Sequence, residues 1–389
     1  MLKPIIILSL VLTTLTTFNV ALNVTSIDKC PTLTPRNPPT NVNDLRVDDI
    51  KVIGALGDSV SAGLGIKGFK KSPDIFSNLL SAIQEYRGLS YSAGGDEDAF
   101  TIANYIKYYQ PNLLGSSVGQ RVVGICNGKV YLFIFICLTL IFFFFFFFFL
   151  ATDDAYHDQL NAALTSATAM NLDKELNYLI KSMKNMRSID FENDWKMINI
   201  QIGSNDMCDS CRENSIDRAS PERYGEYVEA AVDKIHAIIP KVIVNLIGNY
   251  NVSGVFPLTA KYEDYCVARN DGSGNGCACA LTQEGLDKMR KLTIAYDRKL
   301  IEISNKYKKL NSKSFAVVYQ HNRYDLPKFS MEFFSTLDCF HPSLKGHQWT
   351  SKVIWNQLFV PQSQKPNLLL FDENERIHCP SDSDRIITY

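Results

Sequence analysis

Four short apolar runs, residues 50–56, 195–202, 241–247 and 314–319, alternate along the chain with stretches whose apolar residues recur every three or four positions. Each run is β-branched or apolar and is bounded by Gly, Asn or Pro, the mark of a buried strand. The intervening stretches are amphipathic. Over 172–186, Leu172, Leu176, Leu179, Ile180 and Met183 form one sticky face. Over 221–239, Tyr224, Tyr227, Val228, Ala231, Ile235 and Ile238 do the same, behind a Ser220 cap and a proline at the first helical position. Two further helices are expected over 282–307 and 345–358. Strand and helix in alternation imply a mostly parallel sheet covered on both faces, a three-layer α/β/α sandwich.

The chain has 389 residues, a formal net charge of −1 and 46% hydrophobic residues, enough for one large core. That balanced charge argues against nucleic acid as a partner. Residues 1–21 begin with Lys3 and a short apolar stretch and read as a secretory signal peptide. Residues 22–49 are proline-rich and read as an extended leader, 50–380 as a single catalytic domain, and 381–389 as a tail. Ten cysteines, two of them in Cys208-x-x-Cys211, fit a secreted, oxidised protein. No second pair at metal spacing accompanies Cys208 and Cys211, so they are expected in structural disulfides, as are Cys266, Cys277 and Cys279; the pairing is left open. The sequons Asn23-Val-Thr and Asn251-Val-Ser permit glycosylation.

Residues 130–150 are apolar throughout and include eight consecutive phenylalanines, long enough to span a bilayer. A span here would put the candidate catalytic residues described next on opposite sides of the membrane. A packed core has no use for such a run either, since it offers neither a polar face nor small residues. Phenylalanine codons are pyrimidine-rich, and the run closes in Leu-Ala, as a polypyrimidine tract ending in AG would encode. We therefore read the segment as a retained intron, with Lys129 rejoined near Ala151 or Thr152. Its removal takes out Cys137, and Cys126 as well if the donor lies further upstream; without both, eight cysteines remain. Membrane association through 130–150 is the alternative.

The first strand runs into Gly57-Asp58-Ser59, the second into Gly203-Ser204-Asn205-Asp206, and Asp338-Cys339-Phe340-His341 lies far downstream. In such sheets reactive groups gather at the carboxyl ends of strands. A serine hydroxyl becomes a nucleophile when an imidazole takes its proton, and the imidazole needs a carboxylate on its other nitrogen. Ser59, His341 and Asp338 are the candidate triad, with the Ser59 amide and the Asn205 side chain as oxyanion donors. Gly57 and Gly203 would let backbone approach a substrate; Asp58 and Asp206 read as structural. His347 is expected on the exposed side of the last helix rather than on a metal.

On these motifs the chain resembles the SGNH/GDSL hydrolase superfamily, and in particular its phospholipase B branch. Further matches are Arg87-Gly-Leu-Ser90 with Gly94-Gly-Asp96, and Asn205-Asp-Met-Cys208-Asp-Ser-Cys211. The resemblance covers about residues 50–379. It implies a flavodoxin-like fold, no metal or other cofactor, and hydrolysis of acyl esters in phospholipids and lysophospholipids by a monomer in transient contact with a lipid surface. A general lipase or carboxylesterase, or a catalytically weakened lipid-binding protein, are the alternatives. One departure stands out: where the family has an oxyanion-hole glycine five residues after an asparagine, Asn161 is followed at that spacing by Ser166. Its β-carbon would crowd the site if the backbone there has positive φ.

Overall fold

The computed structural model describes residues 22–123, 154–266 and 276–388. The expected signal peptide, the apolar segment 130–150, Cys126 and Cys137 lie outside the described residues.

Four parallel strands form the central sheet: β1 (Ile50–Gly57), β2 (Trp195–Gln201), β3 (Val242–Ile247) and β4 (Phe315–Gln320), in the order β1-β2-β3-β4. Their residues are buried almost without exception, because helices cover both faces of a parallel sheet. On one face α3 (Leu172–Asn185), α5 (Pro221–Ile238) and α6 (Gln283–Leu310) pack side by side; on the other, α2 (Ile102–Tyr109) packs against α7 (Leu344–Gln357). Two short helices, α1 (Ser59–Ala62) and α4 (Ser204–Asp209), follow the ends of β1 and β2.

Local signals account for the boundaries. Ser220, Thr282 and Ser343 each accept a hydrogen bond from a backbone N–H in the first turn of α5, α6 and α7. Asn311 ends α6 in the left-handed conformation with φ +46°. The four strands and four of the long helices coincide with the sequence-derived segments to within about three residues at each end.

The sheet does not stop at β1. Residues 160–164 run alongside it, Ala55 donating to Leu160 while Ala162 donates to Ala55 and Leu164 to Gly57. This unpatterned Leu-Asn-Ala-Ala-Leu stretch carries the chain to the rim at Ser166. The leader and the tail are woven into the body: Val42, Leu45 and Val47 are buried in the core, and the Ile386 amide donates to Leu45. Cys30 is bonded to Cys379, and Leu22–Val24 pairs antiparallel with Ile377–Cys379.

His347 corrects the sequence expectation. It faces inward on α7 and is buried; its Nδ1 accepts a hydrogen bond from the Tyr91 amide at 3.1 Å. Burial, reinforced by the charge on His341, pulls its pKa down to about 3, so it is neutral. The loop around Tyr91, far away in sequence, covers this face of α7.

Candidate active site

Ser59 opens α1, directly after β1. Asp58 caps that helix by accepting from the Val60 amide at 3.0 Å, so the turn that presents the serine is braced by its own neighbour. Ser59 Oγ lies 2.7 Å from His341 Nε2, and His341 Nδ1 lies 2.5 Å from Asp338 Oδ2. A carboxylate only accepts, so Nδ1 carries the proton and Nε2 is left to accept from the serine. The other Asp338 oxygen accepts from the Phe340 and His341 amides, both at 3.0 Å, which fixes the carboxylate against the imidazole.

Burial opposes charge on His341. The Asp338 charge and hydrogen bond, joined by Asp58, outweigh it and raise the imidazole pKa above its ordinary value. Burial likewise opposes the Asp338 carboxylate, but His341 and the two amides hold its pKa below the usual range. Asp58 is pushed up to about 6 and Asp206 to about 7, each chiefly by burial.

The loop carrying Asp338 and His341 is clamped from several sides. Cys339 holds a positive φ of +53°, unfavourable for any residue with a β-carbon, and is bonded to Cys266. The Ser335 N–H donates to the His341 carbonyl at 2.8 Å, and its hydroxyl donates to Gly65 O at 2.6 Å. The acid–base loop is thereby tied to the chain leaving α1.

Asn205 stands at the first turn of α4. Its Nδ2 donates to Ala167 O at 2.8 Å, leaving the second amide hydrogen without a protein partner among the described residues. Ser166, one residue earlier, is exposed and has φ +65°, the left-handed backbone that makes its β-carbon costly. Asp206 supports the same segment by accepting from the Ala169 amide at 3.0 Å. The motif after β2 is thus hydrogen-bonded to the segment that follows Ser166.

Gly57 and Gly203 are required by packing within the protein. A β-carbon on Gly57 would meet Gln201 O at 2.3 Å and Ser61 Oγ at 2.7 Å; one on Gly203 would meet Asn249 Nδ2 at 2.9 Å. The glycines thus let β1 lie close to the end of β2 at Gly57, and the turn after β2 lie close to Asn249 at Gly203.

Two supporting groups escaped the sequence reading. Arg87 is buried and donates to Asn161 O and Ala163 O, both at 2.8 Å, while pairing with Glu85 at 2.8 Å. Glu85 in turn accepts from Thr165 Oγ1 at 2.6 Å, and Arg121 pairs with Asp158 at 2.8 Å. This ionic cluster aligns the segment that ends at Ser166. Its signal was the Arg87-Gly-Leu-Ser90 motif, whose role becomes visible only when 160–164 lies beside β1. The second group is Glu175, buried on α3, whose Oε2 accepts from the Gly57 amide at 2.8 Å. It falls on the apolar stripe between Leu172 and Leu179, where a carboxyl is out of place unless it has such a partner.

Eight cysteines pair as Cys30–Cys379, Cys208–Cys277, Cys211–Cys279 and Cys266–Cys339. The Cys-x-x-Cys pair therefore bonds outward to the 277–279 segment and anchors the end of α4, next to Asn205. Among the described residues no helix is long and apolar enough to cross a membrane, and no group of His, Cys, Asp or Glu is arranged to hold a metal.

Residues 53–354 match the family model of the GDSL-like lipase/acylhydrolases. The chain belongs to this family of carboxylic ester hydrolases. It is similar to the membrane-associated phospholipase B1 of Homo sapiens, 32% identical over 371 residues, and to that of Mus musculus, 29% identical over 359. These alignments take in 91% and 89% of the chain but 22% of each relative, so the chain spans about a fifth of their length. Among solved structures it is similar to an acetyl-xylooligosaccharide esterase from Geobacillus, 11% identical with a TM-score of 0.38, covering 82% of this chain and 98% of that one.

Proposed function

We propose that the protein is a secreted, monomeric serine esterase that cleaves acyl esters of phospholipids and lysophospholipids. The observation that carries this reading is the 2.7 Å approach of Ser59 Oγ to His341 Nε2, from residues 282 positions apart, with Asp338 on the far side of the ring. Two side chains so distant in sequence meet in a buried, hydrogen-bonded line only if the fold holds them there. The four disulfides, formed in an oxidising compartment, support secretion.

In this reading Ser59 Oγ attacks the ester carbonyl as His341 Nε2 takes its proton, and Asp338 stabilises the imidazolium. The carbonyl oxygen becomes an anion held by the Ser59 and Ser166 amides and the free hydrogen of Asn205 Nδ2. Collapse expels the alcohol, which leaves with the proton from His341. Water, activated by the same imidazole, then attacks the acyl-enzyme and releases the fatty acid. All the groups invoked belong to this chain, and the likeness to the phospholipase B1 proteins supports the phospholipid class.

Turnover of lysophosphatidylcholine measured beside that of a short nitrophenyl ester tests the substrate class. Comparable or greater kcat/KM on the lysolipid is expected; strong preference for the small ester would replace this reading with a general carboxylesterase. The left-handed Ser166 favours one further reading, a weakened enzyme that chiefly binds lipid. Lipid binding with no turnover of either ester would select it.

A further inference from the structure

Lys67, Lys70 and Lys71 fall within five residues, all exposed, and none is paired with a carboxylate among the described residues. The Lys67 ammonium lies 5.2 Å from the centre of the Tyr86 ring, a cation–π contact that orders the side chain while the residue stays exposed. Asp74, the nearest acidic residue in sequence, is engaged in accepting from the Ser77 amide and hydroxyl. Three cations thus stand against the single nearby carboxylate of Asp74, and the segment keeps a net positive charge.

Its position is fixed by the catalytic loop. Gly65 O accepts from Ser335 Oγ, the Phe69 amide donates to Thr336 Oγ1 at 3.0 Å, and Ile66 O accepts from the Leu344 amide at 2.8 Å. A β-carbon on Gly68 would collide with Thr336 Oγ1 at 2.4 Å, so the contact is close all along. The lysines thus project from a strip fastened to both sides of Asp338–His341, eight to twelve residues after Ser59. Half-buried Phe69 on the strip, and exposed Leu344 at the start of α7 beside Ile66, supply apolar groups. Cations interleaved with apolar side chains beside a reaction centre match a lipid surface: ammonium groups meet phosphates while apolar tips enter the acyl boundary.

We propose that the Lys67–Lys71 segment is an interfacial docking element that seats the catalytic rim on membranes bearing anionic phospholipids. The inference rests on the lipid-ester reading for its biological sense, but the binding itself needs no turnover.

The test uses the full chain carrying Ser59→Ala, sedimented with phosphatidylcholine vesicles with and without phosphatidylglycerol. The protein should bind the phosphatidylglycerol vesicles more tightly, and salt should weaken that binding. Replacing the three lysines together by Gln should lower this partitioning by about 100-fold, at roughly fivefold per lysine near an anionic surface, and their replacement by Arg should preserve it. Unchanged thermal unfolding of the Gln variant excludes a folding defect. Equal binding of parent and Gln variant, absence of preference for phosphatidylglycerol, or no vesicle binding at all would each overturn the proposal. Failure of the catalytic reading would appear separately, as loss of ester turnover in the protein that retains Ser59.

Discussion

Asp338 and Asp58 both raise the proton affinity of His341, one by contact and the other through space. Because the imidazole must be neutral to accept the serine proton, kcat/KM should fall as pH drops through a value above that of an ordinary histidine. Asp58→Asn keeps a capping side chain but removes the charge, so this acid limb should move to lower pH with activity retained. Asp338→Asn should also lower the imidazole pKa, but here kcat falls by about 10⁴-fold because the ring loses its tautomer. A pH–rate profile of the three proteins checks both expectations. At Ser166 the left-handed backbone costs a non-glycine residue about 1–2 kcal/mol. Ser166→Gly should recover about 1 kcal/mol in urea unfolding and raise kcat, since nothing then crowds the oxyanion.

The strands and long helices were readable because burial on both faces forces continuous apolar runs and burial on one face forces helical spacing. The segment 160–164 was not, because it owes its place to Arg87 and to the backbone of β1 rather than to its own side chains. His341, Asp338 and Ser59 were legible as motifs at strand ends and in turns; Glu175 and the inward face of His347 depended on contacts between elements far apart in sequence. Arg87→Met should expose the dependence of 160–164 on its ionic support. It leaves Arg121 alone to balance the two buried carboxylates Glu85 and Asp158, so one charge loses its partner, with an expected loss of about 3–5 kcal/mol in chemical denaturation. A smaller loss, with esterase activity intact, would show that the strand-like pairing suffices alone.

Over the whole molecule, the ends of the chain are fastened by Cys30–Cys379, which closes a loop with a sequence separation of 349. Cys30→Ser with Cys379→Ser should lower unfolding free energy by about 2–5 kcal/mol while leaving the distant site active, as urea titration and ester turnover would show. We propose that 130–150 is a retained intron. The chain on either side of that stretch is drawn together by the Arg121–Asp158 pair at 2.8 Å, so deletion of 130–150 should leave a folded protein. Sequencing the transcript across this junction should give a message lacking the phenylalanine tract. The convergence of Ser59 and His341 is tested most directly by fluorophosphonate labelling followed by peptide mass mapping. Label on Ser59, lost in Ser59→Ala and strongly slowed in His341→Ala, is the expected result; a folded protein that stays unlabelled, or is labelled elsewhere, would contradict it.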